Sequence, residues 1–182
     1  MIPKFAALIL ILCASASFAA EPLLPNGIRG LKLGMTGAQA AATVKTLWPQ
    51  VRWECSPWFE ADIENCWGLE TAVGDISYGG RPAYAARLAI QRGILVQVQL
   101  EFGTNIAAQT YGELTRSLTD VTSREPRNIA KNGWVRKFWT SPSELIFLTN
   151  DSDSTSFSYV TIPFRVQQAK NESLVLQRAK GM

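Results

Sequence analysis

Residues 83–102 read AYAARLAIQRGILVQVQLEF. Before Gln91, Tyr84, Ala86, Leu88 and Ile90 alternate with Ala85, Arg87 and Ala89. Beyond Arg92-Gly93, Ile94, Val96, Val98, Leu100 and Phe102 alternate with Leu95, Gln97, Gln99 and Glu101. Successive side chains of a strand point to opposite faces, so a period of two predicts an antiparallel hairpin with one buried and one wet face. Arg92-Gly93 is its turn, because glycine supplies the left-handed backbone that a two-residue connection needs.

On the N-terminal side, Thr36 and Gln39 stand at capping-box spacing. They predict a helix to about Trp48 that buries Ala40, Val44 and Leu47 and stops at Pro49. Ile28 to Gly34 reads as a strand or strand-like entry, and Val51 to Cys55 as a strand. Ser56 to Gly80 holds no sustained period and is expected to be a long loop with short elements; such loops are often functional. On the C-terminal side, a second helix is expected from Asn105 to Thr122, with Tyr111, Leu114, Leu118 and Val121 on one face. Gly133 to Thr140 and Glu144 to Thr149 read as strands joined at Ser141-Pro142-Ser143, and Ser156 to Ile162 as a last strand. Trp134 and Trp139 fall on opposite faces, so at most one belongs to a core.

Each half thus pairs one helix with about three antiparallel strands. The fold class expected is α+β, with two helices packed on one face of an antiparallel sheet. The organisation expected is a signal peptide at residues 1–19, one domain at 20–163 with halves at about 27–103 and 104–163, and a basic tail at 164–182, helical or frayed.

The chain has 182 residues, 47% apolar and 18% charged, which suffices for one domain with its own core and excludes wholesale disorder. It contains no histidine. That excludes a Ser-His-Asp or Cys-His nucleophile pair, a histidine base and any His-containing zinc site. A net charge of +3 is too small to point to nucleic acid. Lys4, the apolar run Phe5 to Leu12 and the small-residue site Ser17-Phe18-Ala19 have the layout of a signal peptide. Leu12 before Cys13 argues against lipid attachment there. No later run is long enough to span a bilayer, so the mature chain is expected in the periplasm, with no transmembrane segment. Cys55 and Cys66 then remain as an even pair, expected to form a disulfide in an oxidising compartment. A redox or metal site is the weaker reading, given their wide separation and the lack of another soft ligand.

Between Arg52 and Arg81 every charge is negative, including Glu54, Glu60, Asp62 and Glu64, and Trp53, Trp58, Phe59 and Trp67 are interleaved with them. Tryptophan buries large area at low entropic cost, and a disulfide-tied segment is pre-organised for binding. Trp53, Trp58, Phe59, Glu60, Asp62, Glu64 and Trp67 are therefore the candidate partner-binding residues. The bland alternative is that the aromatics cap the core and the acids keep the segment soluble. Two such acids facing one cleft would permit a histidine-free glycoside hydrolase, the third-ranked reading after a small-ligand or lipid binder. No catalytic residue, metal ligand or cofactor is assigned. Asp151 to Ser154 begins like a calcium loop but lacks glycine at Ser156 and an acid at Ile162, so a hairpin turn is expected. Arg124, Arg127, Lys131, Arg136 and Lys137 make the second half mildly basic: a solvated face, or a contact to an anionic envelope surface.

Gly30-Leu31-Lys32-Leu33-Gly34-Met35-Thr36, followed at once by a helix, resembles the opening of the outer-membrane-assembly small lipoproteins and of the β-lactamase inhibitor proteins. The resemblance covers about forty residues closely and the rest in element order. Only one Gly-Met-Thr turn and one cysteine pair are present. It implies a disulfide after the first helix and a protein-binding, envelope-accessory or inhibitory role rather than catalysis. It transfers no binding residue.

Overall fold

The computed structural model describes residues 22–58, 60–69, 75–103, 107–131, 134–151 and 154–179; the expected signal peptide lies outside the described residues. In chain order the elements are α1 (Gly37–Leu47), β1 (Arg52–Trp58), β2 (Glu60–Leu69), β3 (Ile76–Tyr78), β4 (Arg81–Ala83), β5 (Ala85–Gln91) and β6 (Ile94–Phe102). They continue with α2 (Ala107–Thr122), β7 (Arg127–Lys131), β8 (Trp134–Thr140), β9 (Glu144–Asn150), β10 (Thr155–Thr161) and α3 (Ile162–Ala179). The fold is α+β. Eight strands form one sheet in the order β1-β2-β5-β6-β10-β9-β8-β7, and β3-β4 is a separate ribbon. Every pairing is antiparallel, and two four-stranded runs meet where β6 pairs with β10.

The local reasons are legible at α1. The Gln39 N–H donates to Thr36 Oγ1 at 3.2 Å, and the Thr36 N–H donates to Gln39 Oε1 at 2.9 Å. These bonds satisfy two donors that a helix start leaves open. In the β5–β6 turn, Arg92 at φ 51° and Gly93 at φ 77° give the left-handed pair that matches strand twist.

One feature of β6 departs from the expected alternation. Ala89 stands opposite Gln97 but Ile90 stands opposite Leu95, so the register shifts by one residue at Val96. Leu95 therefore joins Val98, Leu100 and Phe102 in one core, whereas Val96 joins a second. Ile94, expected inside, is 38% exposed.

The first core gathers Leu88, Val98, Leu100, Ile146, Leu148, Phe157 and Tyr159 from the sheet with Ala40 and Val44 of α1 and Leu114 and Leu118 of α2. Trp139 is buried there, while Trp134 is only partly covered. The second core holds Ile63, Ala89, Val96 and Val160 beneath Phe164 of α3. We call the corresponding sides of the sheet its first and second faces.

Several expectations are corrected. The expected strand at Val51 to Cys55 is the first part of β1, and the expected loop from Ser56 onward instead continues β1 to Trp58 and forms β2, the two strands pairing with each other. Glu54 to Pro57 are exposed, so no buried alternation marks the continuation of β1 past Cys55. Ile28 to Gly34 is a turn with a single bridge, Ile28 to Leu31, because Arg29 and Gly30 both adopt positive φ. Val121 is 52% exposed rather than on the buried face of α2. β7 had no expected counterpart, since Arg127 to Ala130 are exposed and its apolar content is low.

Candidate functional site

β1 ends the sheet, so one of its edges pairs with β2 and the other is free among the described residues. Cys55 and Cys66 face each other directly and are joined by a disulfide, with Cα atoms 4.0 Å apart. So close a pair is the non-hydrogen-bonded kind, in which both residues turn their N–H and C=O away from the partner strand. By the period of two, Trp53 and Pro57 share that orientation. The free edge therefore offers the N–H and C=O of Trp53 and of Cys55, followed by the C=O of Pro57, which has no N–H.

Register also sorts the side chains. Trp53, Cys55 and Pro57 lie opposite Gly68, Cys66 and Glu64 on the first face, and Glu54 and Ser56 lie opposite Trp67 and Asn65 on the second. On the first face the hairpin and α1 enclose an open groove of about 360 Å³. Its walls are mostly apolar: Ala38, Ala41 and Val44 from α1, Trp53 from β1, and Leu88 and Ile90 from β5. The disulfide forms part of the lining, and Glu64 is its carboxylate. That carboxylate has no hydrogen bond or ion pair among the described residues. Trp53 is fixed by stacking on buried Trp48, with ring centres 6.0 Å apart.

The structure thus divides the residues singled out from sequence. Trp53, Glu64 and the disulfide share the groove. Asp62 accepts from Arg92 Nε at 2.9 Å, which ties the hairpin to the β5–β6 turn. Trp67 lies on the opposite face, where the Arg87 guanidinium sits 3.5 Å from its ring centre. Burial lowers the pKa of Arg87, against the raising effect of Glu101. Trp58 is partly buried and packs on Phe164, with ring centres 6.2 Å apart. Phe59 and the Glu60 side chain lie outside the described residues. The sequence reading missed Ala38, Ala41 and Val44 as a wall. The repeated small residues of α1 were the available signal, since only short side chains leave room between a helix and a sheet.

The ligand atoms of Cys55, Glu64 and Cys66 lie within 4.8 Å of one another, but the sulfurs are bonded to each other, so this set lacks the thiolates a soft metal requires. Asp62 and Glu64 do line one shallow cleft, of about 310 Å³, but Asp62 is engaged by Arg92. Among the basic residues of the second half, three have local partners. Arg124 Nη1 donates to the Thr140 carbonyl, Arg136 Nε to Thr149 Oγ1, and Arg165 pairs with Glu172. The turn at Asp151 is closed by the Ser154 N–H donating to Asp151 Oδ1 at 2.7 Å; residues 152–153 lie outside the described residues. No helix is long and apolar enough to cross a membrane among the described residues. Comparison with protein-family models, with curated proteins and with solved structures finds no match to this chain.

Proposed function

We propose that this chain is an exported, periplasmic, non-enzymatic protein that binds another cell-envelope protein as an accessory or inhibitor, through the β1–β2 hairpin. The observation that carries the reading is the free edge of β1. A disulfide-braced strand at the end of a sheet presents backbone groups that are unpaired among the described residues, beside an apolar groove and a carboxylate likewise unengaged. Such an edge is a template for pairing with another chain. In this reading α1 and α2 form the helical layer over the first face, and the hairpin projects beyond it as the contact. The disulfide supports an oxidising compartment.

The test is capture from envelope extract with residues 20–182, oxidised and tagged, followed by cross-linking to the hairpin. Charge reversal at Glu54 and Glu64, both exposed, is expected to abolish capture of one stoichiometric protein with melting temperature unchanged. Trp58→Ala is less clean, because Trp58 packs on Phe164 and its loss costs stability. A folded bait that captures nothing cross-linked to the hairpin overturns the proposal.

The groove also favours a second reading, a small apolar ligand, since about 360 Å³ falls in the size range of ligand sites. A dye or lipid that binds stoichiometrically and quenches Trp53 would favour it over a protein partner.

A further inference from the structure

We infer that the hairpin recognises its partner by strand addition: an extended segment with apolar and basic residues in alternation pairs with the free edge of β1 and lays its apolar side chains into the α1 groove. The inference rests on the hairpin being the recognition surface and adds what it recognises. Trp53 and Cys55 each point an N–H and a C=O outward, enough for two complete exchanges of hydrogen bonds, and the Pro57 carbonyl accepts one more. An added residue opposite Cys55 projects on the same face as Cys55, beside Ala38, Ala41 and Val44. Its neighbours in sequence project on the other face, beside Glu54. Glu54 holds only an exposed bond to Arg52, 3.3 Å long, and Glu64 at the groove is unengaged among the described residues. Apolar residues therefore suit the side of the added strand that meets the groove, and lysine or arginine suits the other side, beside Glu54; Glu64 lies on the groove face opposite Pro57, where the apolar run ends.

A second copy of the chain fits poorly in either arrangement. Two β1 edges paired about a two-fold axis would bring the hairpin carboxylates together and set Pro57, without an N–H, at a position that must donate. The opposite edge, β7, runs antiparallel to β1 across the sheet and could follow it head to tail. That alignment keeps the faces in register and turns Asn128 and Ala130, not Ile129, toward the groove. Neither fills an apolar wall.

The probe is a short peptide alternating Val and Lys, added to the full oxidised chain while amide hydrogen exchange is followed residue by residue. The expected result is that exchange at the free-edge amides of Trp53 and Cys55 slows by about tenfold or more. The same peptide methylated on the nitrogens that face the edge, and a Val–Glu version, are expected to leave both rates unchanged. Equal protection by the methylated peptide, or protection confined to β7, overturns strand addition. Slowing that appears on concentrating the chain without peptide overturns the partner in favour of self-pairing. The two readings separate with the captured protein. If it cross-links to the hairpin while Trp53 and Cys55 exchange as before, hairpin recognition stands and strand addition falls. If it does not touch the hairpin, both fall.

Discussion

Gly68 shows how one residue sets the shape of the groove. It stands opposite Trp53, and a Cβ there would lie 2.8 Å from Trp53 Cζ2 and 2.8 Å from Val51 Cγ1. Only glycine lets the indole lie across β2 and stack on Trp48. Gly68→Ala is expected to cost about 1–3 kcal/mol by overpacking. A lower urea midpoint and an altered near-ultraviolet tryptophan spectrum would register it; a spectrum like wild type would mean that the indole is not confined there. Tyr84 answers a different question, that of pH. Its hydroxyl donates to Glu101 Oε2 at 2.6 Å, and its pKa is pushed up to about 12 from the ordinary 10.0, first by that hydrogen bond, then by burial and by the Glu101 charge. The folded value exceeds the unfolded one, so the contribution to stability is complete below pH 10 and is lost as pH rises from there toward 12. Tyrosinate absorbance is therefore expected to show a late-titrating tyrosine that moves back toward 10 in Glu101→Gln.

Among the elements, the β1–β2 hairpin depends on its cross-link more than the central strands do. β1 has one neighbour in the sheet and exposed side chains, whereas β5, β6, β9 and β10 are paired on both sides. The disulfide closes a separation of 11 residues and is expected to stabilise the hairpin by up to about 3 kcal/mol. Reduction should raise hydrogen exchange along β2 and leave β9 and β10 nearly unchanged; a uniform rise would show instead that the sheet opens as one unit. The same contrast explains what was legible in the sequence. The capping box at Thr36, the β5–β6 hairpin and its Arg92-Gly93 turn were readable because each is determined by residues within a few positions. The bulge at Val96 was not, since the residues around it are apolar whichever face they take. The continuation of β1 beyond Cys55 was hidden for a different reason. It runs through exposed positions, and Pro57 reads as a breaker although it sits on the free edge where no N–H is needed. The chemical content of the segment, its acids, tryptophans and cysteines, was visible without its shape. The division of those residues between two faces of a sheet depends on register, which composition does not carry.

Across the whole molecule, two long-range closures complete the layers. Glu144 is buried and accepts from the Leu23 N–H at 2.6 Å and from the Tyr159 hydroxyl at 2.7 Å, pinning the N-terminal lead, with Leu23 and Leu24 beneath it, to β9 and β10. Burial and this bond raise the Tyr159 pKa well above the ordinary tyrosine range. Glu144→Ala leaves two buried donors without their acceptor and is expected to cost about 2–4 kcal/mol, read from the denaturation midpoint; Tyr159→Phe removes one donor and should cost less. The second closure is α3. Its Phe164 is 1% exposed over Ile63, Ala89, Val96 and Val160, and Gln168 Nε2 donates to Gln97 Oε1 at 2.9 Å while Gln91 Nε2 donates to Gln167 Oε1 at 3.1 Å. These residues come from β6 and β10, whose pairing joins the two four-stranded runs, and from the neighbouring β2 and β5, so α3 covers the seam from the second face. Truncating Phe164 to alanine removes the largest fully buried side chain of the second core and is expected to cost about 3–5 kcal/mol. Ending the chain after residue 161 should go further, exposing the second core to an apolar dye while hydrogen exchange at first-face residues of β9 stays slow. If the truncated protein binds no dye and melts as before, the basic C-terminal segment is an appendage, and the second face needs no cover.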